Sequence, residues 1–153
     1  MAVNEVWHFS FTVSDLDAAV AFYVDLLGCT LILEQESDNA YTRSLVGYPN
    51  AHLRIAQIRI GEAPATSTHH LELVQYLLPQ GHRGDTNIAN PGAAHLAFTV
   101  ADLDAECARL AAHSVRFFSE PNEITHGVNR GGKAVYFYGP DDIVHELVQP
   151  PTR

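Results

Sequence analysis

The chain repeats itself. Residues 8–21 read HFSFTVSDLDAAVA and residues 95–108 read HLAFTVADLDAECA, so His8/His95, Phe11/Phe98, Thr12/Thr99, Val13/Val100, Asp15/Asp102, Leu16/Leu103, Asp17/Asp104 and Ala18/Ala105 coincide at a single offset. A second matched pair ends each half, Glu72–Gln75 and Glu146–Gln149, both reading ELVQ. Two copies of one unit must each build the same supersecondary structure and bury the same faces. The expected organisation is a first module over residues 1–78, a linker over 79–92 and a second module over 93–153. The linker stretch, PQGHRGDTNIANPG, concentrates turn-forming residues.

Each module has the same local grammar. His8–Val13 alternates like a half-buried strand, and Ser14 with Asp17 three residues later forms a capping-box-like start for a helix. Apolar Leu16, Ala19, Val20, Tyr23, Leu26 and Leu27 follow helical spacing, and Gly28 is placed to end the helix in a left-handed conformation. In the second module the helix opens at about Asp102 and ends near His113-Ser114. Strands are predicted over residues 30–34, 41–45, 53–60 and 69–76, then over 115–118, 134–138 and 143–149. The fold class is therefore α+β, each module a strand, a helix and about three strands. Glu120–Lys133, with Pro121, Gly127, Gly131 and Gly132, is expected to be irregular and able to fold over a pocket.

Composition narrows the function. The 153 residues carry nine Lys+Arg against eighteen Asp+Glu, a net charge of −9 that would repel nucleic-acid phosphates. No apolar run reaches the roughly 18 to 20 residues of a membrane span, and Glu5, Asp15 and Asp17 stand where a signal peptide needs a basic start and an apolar stretch. A cytoplasmic protein without nucleic-acid or membrane partners is expected. Cys29 and Cys107 form no CxxC and read as reduced, buried thiols.

Strand alternation points His8, Ser10 and Thr12 to one face, and His95, Ala97 and Thr99 to the equivalent face of the second module. Glu72 and Glu146 each interrupt an apolar strand, where a carboxylate is costly unless paired or metal-bound. A strand-borne His early and a strand-borne Glu late, twice over, is a ligand set for one divalent ion such as Zn, Ni, Co, Mn or Fe.

These residues resemble the vicinal oxygen chelate superfamily, which includes glyoxalase I, methylmalonyl-CoA epimerase, extradiol dioxygenases, fosfomycin-resistance and bleomycin-binding proteins. The resemblance rests on HFSFTVSDLD from His8, FYVDLLG from Phe22, HHLELV from His69, PGAAHLAFTVADLD from Pro91 and YFYGPDDIVHELV from Tyr136, and covers nearly the whole chain. It implies tandem βαβββ modules whose eight strands form an open cleft around one metal, with His8, Glu72, His95 and Glu146 as ligands. Four ligands resemble the branch of glyoxalase I and methylmalonyl-CoA epimerase, with Glu72 closer to the first and a Gln usual in the second. Thr12 and Tyr76 stand where bacterial glyoxalase I has residues for glutathione, which disfavours that substrate.

What the resemblance implies is a metal-dependent lyase, isomerase or epimerase. It would act through a metal-chelated enediolate or enolate of a small α-oxygenated carbonyl compound, with Glu146 or Glu72 as the base, and commonly as a homodimer. The alternatives are an Fe(II)-dependent ring-cleaving dioxygenase and a metal-free small-molecule-binding or resistance protein. Candidate substrate-binding residues are Arg54, Tyr136, Tyr138 and His126. Arg54 and Arg59 lie on opposite faces of one strand, and whichever faces the cleft can hold an anion. Tyr136 and Tyr138 alternate on a strand, so that one is expected to face the cleft. His69, His113 and His145 read as structural, and His70, on the face of Glu72, as a neighbour of the ligands.

Overall fold

The computed structural model describes residues 3–62 and 67–152 and divides into two compact units, one ending at Arg83 and the next starting at Gly84. That division falls within the turn-rich segment 79–92.

The first unit runs β1 (Phe9–Thr12), α1 (Leu16–Ala21, continued by π turns over Phe22–Leu26), β2 (Thr30–Ser37), α2 (Ala40–Val46), β3 (His52–Arg59) and β4 (Leu71–Leu78). Its sheet has the order β1-β4-β3-β2, with β1 parallel to β4 and the other pairs antiparallel. The second unit runs β5 (Leu96–Thr99), α3 (Leu103–Ala112), β6 (Asn122–Glu123), β7 (Lys133–Tyr138), a short 3₁₀ turn (Pro140–Asp142) and β8 (Val144–Gln149). Its order, β5-β8-β7-β6, repeats that of the first, again with a parallel pair between the first strand and the last. Among the described residues no helix is long and apolar enough to cross a membrane.

Helix starts follow Asp15 and Asp102 rather than Ser14. Each of these aspartates adopts an extended backbone and accepts the N–H three residues on, that of Ala18 or Ala105. Asp17 is thereby free of capping duty. Gly28 takes φ 71°, the left-handed conformation that ends the first helix. On one face of each sheet the helix buries its apolar stripe: Leu16, Ala19 and Tyr23 against the side of Leu71 and Leu73, and Leu103, Cys107 and Leu110 against the side of Phe137 and Leu147. Each such leucine contributes roughly 1.5–3 kcal/mol by leaving water.

Two expectations are corrected. Residues 41–45, read as a strand, form α2, because Asn39 caps it by accepting the Thr42 N–H at 3.0 Å and Gly47 ends it at φ 76°. Residues 115–118, also read as a strand, make only an isolated bridge between Phe117 and Phe137. The sheet edge is instead the two-residue β6, inside the stretch expected to be irregular.

His145 lies on the helix-facing side of β8, fully buried beside Phe98 and Phe137. Burial pushes its pKa down to about 4, against the opposing pull of a hydrogen bond to the Leu96 backbone. Above pH 6.5 the ring is neutral folded or unfolded, so it contributes no pH dependence there. As pH falls from 6.5 towards 4 the unfolded chain takes up a proton that the folded chain refuses, and stability is lost, reaching roughly 3 kcal/mol. Urea titrations at pH 7 and pH 5 are expected to show a smaller acid loss in His145→Leu than in the wild type. Equal losses would mean that the ring is not held neutral.

Candidate functional site

Parallel pairing of β1 with β4 sets Ser10 opposite Glu72, and antiparallel pairing with β3 sets Gln57 on the other side of Glu72. His8, just before β1, shares the face of Ser10, and its Nε2 lies 3.8 Å from Glu72 Oε1. The second unit repeats the arrangement. Ala97 is opposite Glu146, Tyr136 flanks it from β7, and His95 Nε2 lies 3.3 Å from Glu146 Oε2. All four side chains are partly exposed, with relative side-chain accessibilities between 21% and 39%.

Donor chemistry and spacing both suit a divalent ion. Two ligand atoms about 2.0–2.2 Å from one ion lie no more than roughly 4.4 Å apart, and each His–Glu pair meets that limit. Imidazole nitrogen with carboxylate oxygen is a set for Zn, Ni, Co, Mn or Fe rather than a soft thiolate site. Both thiols, Cys29 and Cys107, are buried and held above their usual pKa by burial, unsuited to ligation.

A third imidazole joins the first pair. His69, His8 and Glu72 offer ligand atoms that all lie within 4.8 Å of one another. His69 Nε2 lies 3.1 Å from His8 Nδ1, and its Nδ1 lies 3.2 Å from Ser67 Oγ. Burial, reinforced by His8, pushes the His69 pKa down. Strand reading placed His70, not His69, on the face of Glu72. But β4 begins only at Leu71, and residues 67–70 lie outside any strand. His70 Nδ1 instead accepts the Ile60 N–H at 3.2 Å.

On this face the first unit has a groove of about 830 Å³. Ser10, Thr12, Gln57 and Tyr76 line it from the sheet, and Tyr41 and Thr42 from α2. No lysine or arginine is among the described residues that line it. Arg54, the expected anion holder, is on the other side of the sheet. Leu53, Ile55 and Gln57 of β3 face the groove, so Arg54 between them faces α1 and meets Asp17 at 2.7 Å and Glu34 at 2.6 Å. The guanidinium holds Asp17 below the usual carboxylate range.

In the second unit both Tyr136 and Tyr138, not one of them, share the face of Glu146, since residues two apart on a strand point the same way. The Tyr136 ring meets His95 edge-on at 5.1 Å, and burial, with the Glu146 carboxylate, pushes its phenol pKa up. Tyr138 lies between Phe118, stacked at 4.6 Å, and the Arg116 guanidinium, 4.4 Å from its ring centre. His126 is exposed in the glycine-rich loop, its Nδ1 2.7 Å from Thr125 Oγ1.

The model of the Glyoxalase/Bleomycin resistance protein/Dioxygenase superfamily matches residues 6–147. A 2-epi-5-epi-valiolone epimerase from Actinomyces sp. is 36% identical over 151 residues, spanning 96% of this chain and 80% of that protein. A glyoxalase family protein from Bacillus cereus superposes with a TM-score of 0.75 at 23% identity, covering 99% of both chains. The trypanothione-dependent glyoxalase I of Leishmania major gives 0.67 at 19% identity, covering 96% of this chain and 87% of that one.

With Arg54 committed to two carboxylates on the far face, Arg54→Ala is expected to leave divalent-metal binding within about twofold of the wild type, as for a site with no shared partners. It should lower the unfolding midpoint in low salt and less so in 1 M salt, because exposed pairs are screened. A large loss of metal affinity, measured by competition with a chromophoric chelator, would place Arg54 at the site after all.

Proposed function

Because the chain belongs to the Glyoxalase/Bleomycin resistance protein/Dioxygenase superfamily, we propose that it is a divalent-metal-dependent epimerase of a small, uncharged α-oxygenated carbonyl compound. The observation that carries this reading is the twice-built His–Glu pair, His8 with Glu72 and His95 with Glu146, each at ligand spacing. In it, His8 with Glu72, and His95 with Glu146, are the residues that would hold an ion. When bound, the ion supplies Lewis-acid stabilisation of the negative charge that develops on a carbonyl oxygen during proton loss from the neighbouring carbon.

The protein's own residues move the proton. An Oε of Glu146 or Glu72 takes it from the carbon next to the carbonyl, the C–H electron pair passes into the enolate, and a proton drawn from water on the opposite face gives the epimer while the glutamate releases its own proton to solvent. Tyr136 packs against His95 and flanks Glu146 on the neighbouring strand. Ser10, Thr12 and Gln57 offer hydroxyl and carboxamide partners to substrate oxygens, while a lining without lysine or arginine among its described residues favours an uncharged molecule over a phosphorylated one. The relative named for epimerisation of 2-epi-5-epi-valiolone supports this choice over the lyase, and makes that compound the first to test.

Incubation of the metal-loaded protein with 2-epi-5-epi-valiolone in D₂O, followed by proton NMR, is expected to show a new epimer carrying deuterium next to the carbonyl. Chelator treatment should abolish both signals. Glu146→Gln and Glu72→Gln should identify the base, with turnover lowered about 10²–10⁴-fold for the carboxylate that moves the proton. Epimerisation that persists without metal, or neither variant losing rate, would overturn the reading. Oxygen uptake with catechol-like compounds would instead identify the ring-cleaving dioxygenase.

A further inference from the structure

We propose that His69 is a positioning residue: it holds the proton of the His8 imidazole on Nδ1, so that the Nε2 lone pair of His8 is presented beside Glu72. The inference rests on the reading of His8 as a metal ligand and goes beyond it by assigning what orients that ligand.

A neutral imidazole has one N–H and one lone pair, so a contact between two imidazole nitrogens at 3.1 Å must share a single proton. There are two ways to place it. If His69 Nε2 donates, His8 carries its own proton on Nε2, aimed towards a carboxylate 3.8 Å away, beyond hydrogen-bond reach. If His8 Nδ1 donates, His69 carries its proton on Nδ1, where Ser67 Oγ waits at 3.2 Å. The same oxygen accepts the backbone N–H of His69 at 3.3 Å and thus already serves as an acceptor. The second arrangement gives every N–H in the chain a partner and leaves His8 Nε2 bare, the form that binds a cation.

Burial gives the arrangement stiffness. Ser67 and His69 are 2% and 3% exposed, whereas His8 is only partly covered, so the two inner members anchor the outer one. Engaged with His8 through Nε2, His69 acts in this arrangement on the ligand rather than as one. In the second unit the place of His69, three residues before the glutamate, is taken by Ile143, which has no polar side-chain atom. Among the described residues, that position of the second unit therefore offers no such device.

Long-range ¹⁵N–¹H spectra of the metal-free protein read the tautomer directly. Wild-type His8 is expected as the Nδ1–H form, and His69→Leu should move it to Nε2–H or a mixture. Zinc affinity, measured by chelator competition, is expected to fall about 10- to 100-fold in His69→Leu. His69→Gln, whose carboxamide oxygen can accept from His8 Nδ1, should stay within about fivefold of the wild type. A role in filling space alone would give the reverse ranking, with leucine tolerated and glutamine not. Nε2–H on wild-type His8, or unchanged zinc affinity in His69→Leu, would overturn the proposal. Wild-type protein that binds no zinc would remove the metal reading, and the metal-free spectra would still decide whether His69 sets the tautomer.

Discussion

In each unit the first strand runs parallel to the last, and on that pairing both His–Glu pairs depend. It brings a histidine from the start of the unit beside a glutamate near its end, 64 residues further on in the first unit and 51 in the second. The glutamates do not choose their own direction. Leu71 and Leu73 on either side of Glu72, and His145 and Leu147 around Glu146, are buried against the helical face. A slip of one residue would exchange the two faces, drive a carboxylate into the apolar layer and expose the leucines to water. The hydrophobic layer thus fixes which way the carboxylates point, although it touches no ligand.

The ELVQ repeat joins this to the helices. Two positions after each glutamate's buried leucine, Gln75 and Gln149 return to the helical side. Gln75 accepts the Leu16 N–H and donates to the Ser14 carbonyl, and Gln149 accepts the Leu103 N–H at 2.8 Å. The strand that carries the acid therefore also ties down the first turn of the helix, where N–H groups lack partners within the helix. One four-residue motif supplies a chemical group on one face and an anchor on the other, which is reason enough for both halves to contain it.

Much of this is legible in the sequence, because the repeat reports which positions are equivalent even where periodicity is ambiguous. The two His–Glu pairs follow from it, while Gly28 follows from its place at the end of the helical spacing. What is not legible has local causes. Tyr41, Thr42 and Val46 have strand-like side chains, and their preference was outweighed by caps at Asn39 and Gly47, signals of one residue each. Arg54 needed the phase of β3 relative to the groove, which alternation alone leaves undetermined. His69 stands just before β4, outside any strand, and its value lies in contacts with residues 61 positions away and two positions away. Tyr136 and Tyr138 fall together because residues at i and i+2 share a face, which the strand pattern already contains.

Helix α2 interrupts the first unit between β2 and β3, and the second unit has no helix in the corresponding place among the described residues. It walls the groove with Tyr41, Thr42, Leu45 and Val46 yet takes no part in the strand pairing that sets His8 against Glu72. Part of the groove wall and the His–Glu pair are consequently carried on separable pieces of chain. Replacement of this one short segment would let a descendant of the fold accept a differently shaped molecule while inheriting its acid and its imidazoles unaltered.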